Sequence, residues 1–245
     1  GTFAPAQNYR DITEGRYDKT TNQISKIVFD KFKEIYDKGD KKGEFILTVG
    51  PDDEDIINNQ FEFDLMGALE ITDGEYFVDG GANSGYDDDG EEITPLLSVK
   101  FKIPKNPDWQ KVSFDIKDVV RHELEHLTQD GLNVKGGVVS DNPKLARSSK
   151  QMSDDKIVRN SIDIGLLPAA DYFLLEKEID AMLQGLYFKA KKSKRPFKDV
   201  INDYLNIFIN NGKITSEEKE EILNLWRKRN KALSLPIFEN EEKNM

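Results

Sequence analysis

The chain has 245 residues, 37% of them hydrophobic and 33% charged, with a formal net charge of −11 and no cysteine. That length buries a substantial core without a disulfide or metal staple, as one large domain or two small ones. The absence of cysteine removes any disulfide framework, thiolate nucleophile or cysteine-containing zinc site, and the acidic balance argues against nucleic acid as a partner.

Residues 1–20 are polar and irregular, with Pro5 and Gly15, and read as an N-terminal arm. A helix is predicted from about Asn22 to Lys38, where Ile24, Val28, Phe32 and Ile35 recur at helical spacing before Gly39. Glu44 to Val49 reads as a strand closed by Gly50 and Pro51. Asp73-Gly74 separates two short strand-like runs, 69–72 and 75–78, which is a hairpin signal. The stretch from Asp87 to Glu92 is acidic, but Gly90 falls in the wrong place for an EF-hand, so it reads as an acidic loop. Pro95 to Ile103 alternates Val99, Phe101 and Ile103 with Lys100 and Lys102, a strand with one buried and one wet face.

Asp115 is then a suitable N-cap for a helix from Ile116 to Gln129, with Gly131 beyond its end. Residues 132–167 carry weak periodicity and are expected to be loops with at most short helices. Helical periodicity returns over Ala170–Lys192, Phe197–Asn210 and Ser216–Leu233, the last opened by a capping box of Thr215 and Glu218. The basic run from Lys189 to Lys198 reads as a solvated helix end, where cations suit the helix dipole. No repeat or long linker asks for a domain cut. The organisation is therefore an arm (1–20) and one domain (21–245), made of an α+β part (21–131) and a mostly helical part (132–245).

The only two histidines, His122 and His126, stand in Arg121-His122-Glu123-Leu124-Glu125-His126, an H-E-x-x-H pattern. On a helix, positions four apart lie about 40° apart around the axis, so both imidazoles leave one face and can converge on one ion. Neutral imidazole is a preferred zinc ligand, and Glu123 lies next to the first of the pair, placed to take a proton from a metal-held water. The competing reading is an amphipathic helix with two histidines at this spacing by accident. Two ligands do not hold a catalytic zinc, and with no other histidine or cysteine the third must be a carboxylate. In Asp171–Met182, the helical neighbours of Glu178 at three and four residues are Leu174, Leu175, Ala181 and Met182, all apolar. A charged carboxylate on such a face costs several kcal/mol unless something positive meets it. Glu178 is thus the expected ligand, with Glu176 and Asp171 as alternatives; Asp180 has more polar neighbours. The competing reading of Glu178 is a partly exposed helix residue near Lys177 or Arg147.

With His122, Glu123, His126 and the later Glu178-Ile179-Asp180-Ala181, the chain resembles the zincin metallopeptidases of the gluzincin type over roughly residues 95–190. It has Gln129 and Leu132 where metzincins need glycine and histidine, and lacks the cysteine ligand of peptide deformylases. The resemblance implies an α+β fold in which a small, twisted, mostly antiparallel sheet packs on the motif helix and a helical C-terminal part follows. One strand would border the cleft and pair with an extended peptide, and 95–103 is the natural candidate. It further implies Zn2+ held by His122, His126 and Glu178, a polypeptide substrate, and Glu123 as general base in peptide-bond hydrolysis. The later histidine that stabilises the oxyanion in thermolysin-like members is missing; Tyr172, Tyr187 or Arg147 would have to replace it. A second likeness, in Leu174–Lys191, is to compact metallopeptidase-like proteins of tailed bacteriophages.

The competing function is a non-enzymatic structural or binding protein of a larger assembly, such as a phage particle, with a closed structural zinc site, a vestigial one or none. No run approaches the roughly 18 apolar residues of a membrane helix, so no membrane partner is expected and a cytoplasmic or virus-associated setting is. The chain starts at Gly1 rather than Met, which leaves export of a processed precursor open.

Overall fold

Helix α1 (Asp18–Asp37) buries Ile24, Val28 and Phe32, one residue per turn along a single stripe. That stripe packs on a four-stranded sheet of β1 (Lys42–Val49), β2 (Phe63–Thr72), β3 (Phe77–Asn83) and β4 (Leu96–Pro104). The structure, a computed structural model, describes residues 17–50, 62–83, 85, 91, 93–129, 148–236 and 238. The greater part of the expected N-terminal arm and of the acidic loop lies outside these, as does Arg147.

The strand order is β1-β2-β4-β3. Strand β1 pairs antiparallel with β2, β2 parallel with β4, and β3 antiparallel with β4, so the sheet is mixed. This corrects two expectations. The Asp73-Gly74 turn does not close a hairpin, because β4 inserts between β2 and β3. Thr72 Oγ1 donates to Glu75 O at 2.7 Å and Ile103 O at 3.3 Å, and Lys105 reaches Asp73 at 2.6 Å. The turn thereby crosses the end of β4 instead of folding back on β2. Strand β4 is also an inner strand. It buries Leu97, Val99, Phe101 and Ile103 as its alternation predicts, but an inner strand has no free edge for a peptide. The outer strands are β1 and β3.

Helix α2 (Trp109–Gln129) starts about two turns before the expected first residue, Ile116. Asp108 supplies the cap, its Oδ1 accepting from the backbone N–H of Gln110 at 3.0 Å and of Lys111 at 3.2 Å. Asp115 is instead buried inside the helix, bonded to Tyr76, Lys111 and Lys189. Helix α3 (Ser149–Asp163) occupies a stretch expected to be loop; it opens with a capping box between Ser148 and Gln151 and buries none of residues 150–163, so it has no apolar stripe to read.

The helix expected over 170–192 is two elements. A 3-10 helix, Ala169–Leu174, is followed by an extended residue, Leu175, and then α4 (Glu176–Ser193). Helix α5 (Phe197–Asn210) falls where periodicity put it, and α6 (Ser216–Ala232) carries the Thr215–Glu218 capping box.

Two apolar cores result. One joins α1, the sheet and α2; the other joins α4, α5, α6 and the 3-10 helix around Trp226, whose indole N–H donates to Phe173 O at 2.8 Å. Helices α2 and α4 run antiparallel along the seam. Asp115 meets Lys189, Asp118 lies against Gly185, His126 meets Glu178, and Gln129 bonds the carbonyl of Lys177. Lys189 and Lys191, expected to be solvated, tie α4 to Asp115 of α2 and Asp18 of α1. Among the described residues no helix is long and apolar enough to cross a membrane.

Candidate metal centre

The two histidines leave α2 on the face that meets α4, as a four-residue helical spacing requires. Their Nε2 atoms stand 3.1 Å apart, and Glu178 Oε2 lies 2.9 Å from that of His126 and 3.7 Å from that of His122. Three donors at about 2.0–2.1 Å from one tetrahedral ion are separated by about 3.3 Å. The separations of 3.1, 2.9 and 3.7 Å bracket that value. This His122, His126 and Glu178 group can hold a metal ion.

The tautomer of His126 follows from its neighbours. Gln129 Nε2 donates to the carbonyl of Lys177 at 3.1 Å, so the amide oxygen of Gln129 faces His126 Nδ1 at 2.9 Å and the proton belongs on Nδ1. Nε2 then presents a lone pair to a carboxylate oxygen 2.9 Å away. Two acceptors hold that distance only with a cation between them, either a proton or a metal ion.

Glu178 is 1% exposed. Burial alone would raise its pKa, but the charge of His126 and the hydrogen bonds of both histidines hold it far below the usual carboxylate range. Tyr172 O–H donates to Oε2 at 3.0 Å, and Arg159 of α3 reaches Oε1 at 3.4 Å. The break at Leu175 sets Glu178 in the first turn of α4, where the helix dipole also favours a carboxylate. Burial lowers the pKa of His122, while Glu178, Glu123 and Asp118 raise it to about 8 on balance.

Glu123 is 6% exposed, and its Oε1 lies 3.9 Å from His122 Nε2. Strand β3 passes directly over it. A methyl group added at Gly80 would sit 2.7 Å from Glu123 Oε1 and 2.7 Å from Val119 Cγ1. On the opposite side, a methyl at Gly185 would lie 2.4 Å from Asp118 Oδ1 and 2.8 Å from its backbone oxygen. Bare backbone at these two positions lets β3 and α4 close on α2 from either side. Asp118 is pushed up to about 6, by burial first, against the pull of Lys189 and His122.

The remaining sequence candidates lie elsewhere. Glu176 pairs with Arg229 at 3.1 Å. Asp180 is buried but chelated by the same guanidinium at 2.5 and 2.7 Å. Tyr187 packs on Phe197 at a centroid distance of 5.3 Å, and Asp171 is outside the ligand group. Sequence reasoning passed over Gln129, Arg159, Asp118, Gly80 and Gly185. Gln129 carried a usable signal, standing one helical turn beyond His126, where a partner for the ring nitrogen belongs. Arg159 carried none, since it sits in a helix that was not anticipated. Compared with family models, with curated proteins and with solved structures, the chain matches none.

Proposed function

We propose that the protein is a zinc-dependent peptidase of the gluzincin type, with His122, His126 and Glu178 as metal ligands and Glu123 as general base. The observation that carries this reading is the triangle of donor atoms, whose edges of 3.1, 2.9 and 3.7 Å suit a tetrahedral ion. Two imidazole nitrogens and a carboxylate suit zinc, and three protein ligands leave a position open for a reactant. When bound there, zinc lowers the pKa of a water and polarises a carbonyl oxygen.

The residues of the chain supply the rest. Glu123, buried beneath β3 and beside His122, accepts the proton of the attacking water as the new C–O bond forms. It returns that proton to the leaving amine as the C–N bond breaks. Gln129 keeps His126 in the tautomer that offers Nε2, and Tyr172 holds Glu178. Strand β3, outer and adjacent to Glu123, takes the bordering position first expected of 95–103, since among the described residues no strand pairs with its far edge and an extended peptide can add there.

Zinc-loaded wild type and Glu123→Gln, assayed on an unstructured polypeptide, test the assignment. The variant should bind one zinc and lose turnover by roughly 100- to 10,000-fold. Equal activity would remove Glu123 from the mechanism. A zinc fully coordinated by protein, without hydrolysis by the wild type, would favour the structural role.

A further inference from the structure

We infer that Arg159 receives a carboxylate of the substrate beside the metal centre. The inference rests on the peptidase reading and narrows its substrate to peptides presenting an anionic group next to the scissile bond.

Arg159 projects from α3, and its side chain is 49% exposed, whereas the Glu178 it touches is 1% exposed. It therefore links the buried ligand to solvent. Among the described residues it makes one hydrogen bond, from one N–H to Glu178 Oε1 at 3.4 Å, and its guanidinium stands 5.8 Å from the centre of the Tyr172 ring. A guanidinium has five N–H donors in a planar fork. Among the described residues nothing else engages them. Nor does Glu178 depend on Arg159 for compensation, because His126, His122 and Tyr172 already converge on its other oxygen.

Electrostatics makes such a cation consequential. The chain carries a net charge of −11, and Asp118 and Glu123 both lie near His122. With zinc bound, its two positive charges are offset by the carboxylates of Glu178 and Glu123, so the half-exposed fork of Arg159, which matches carboxylate geometry bidentately, adds the attraction that an incoming carboxylate needs. The same chemistry is offered by a free C-terminus and by an aspartate or glutamate side chain.

Three dipeptide hydroxamates of equal length separate these sources: one with a C-terminal carboxylate, its carboxamide, and the carboxamide with a glutamate side chain. Each is titrated calorimetrically into the zinc-loaded full chain, as wild type, Arg159→Gln and Arg159→Lys. Wild type should bind at least one carboxylate compound about 10-fold or more tighter than the plain carboxamide, consistent with a charged hydrogen bond. The preferred compound identifies the source. Arg159→Gln should erase the preference while holding the carboxamide affinity within about twofold of wild type, as for a half-exposed side chain. Arg159→Lys should keep part of it, since the charge remains without the fork. Equal binding of all three compounds by wild type overturns the inference. So does a preference that survives in Arg159→Gln, including the case where that variant weakens zinc binding and Arg159 merely shields Glu178. If the wild type holds zinc yet binds no hydroxamate, the peptidase reading fails and takes this inference with it.

Discussion

Gly185 of α4 lies so close to Asp118 of α2 that a methyl group in its place would stand 2.8 Å from the backbone oxygen of Asp118. This contact sets the spacing of the two helices that carry the three metal ligands. Two turns further along α4, Glu178 reaches His126 at 2.9 Å only because the helices have already closed. Gly185→Ala should therefore cost about 1–3 kcal/mol of stability by overpacking. It should also weaken zinc by about 10-fold or more, as the ligand triangle widens. Urea denaturation and a chelator competition measure the two effects; wild-type zinc affinity in this variant would contradict the spacing argument.

Gln129 tests the tautomer. Replacing it with leucine removes the acceptor 2.9 Å from His126 Nδ1 and frees the ring to rotate. Zinc affinity should drop by about 10- to 100-fold, the usual effect of losing such a partner. The fold should persist, and the circular dichroism spectrum should not change.

Gly80→Ala separates chemistry from binding. The added methyl meets Oε1 and Cγ of Glu123 and the stiff Cγ1 of Val119, so Glu123 is displaced while the ligands are untouched. Zinc content should stay at one per chain, and kcat should fall by about 10-fold or more. Full activity would show that the position of Glu123 beneath β3 is immaterial.

The pH dependence has a definite sign. In the metal-free fold His122 is raised to about 8, above its unfolded value of about 6.5. Its proton therefore stabilises that fold by about 2 kcal/mol below the unfolded pKa, and the contribution disappears as pH rises through about 8. Zinc needs the neutral ring, so its affinity should rise about tenfold per pH unit from about 6.5 upward and level off above about 8. Dialysis equilibria at several pH values measure this, and a flat profile between pH 6 and 8 would contradict it.

Much of this site could be read from the chain because its rules are local. A four-residue spacing on a helix puts His122 and His126 together wherever the helix lies, and the Thr215–Glu218 capping box is a short-range pattern that the structure reproduces. Glu178 is legible only in part from its helical neighbours. Leu174 and Leu175, treated as its helical neighbours, precede α4, and the burial of the carboxylate comes from α2 and Tyr172 instead. Strand order was not legible. Asp73-Gly74 marks a reversal, but which strand lies alongside β2 depends on β4, more than twenty residues later. Asp108 and Asp115 are both capping types, and only the tertiary partners Lys189 and Tyr76 show that the second is internal. Helix α3 has no apolar stripe to read, so Arg159 was hidden with it.

Anomalous diffraction at the zinc edge from crystals of the zinc-loaded chain tests the central claim most directly. The account predicts one zinc per chain about 2.0–2.2 Å from Nε2 of His122, Nε2 of His126 and a carboxylate oxygen of Glu178, with a solvent ligand in the fourth position. Zinc bound elsewhere, or a Glu178 carboxylate turned away from it, would contradict the account.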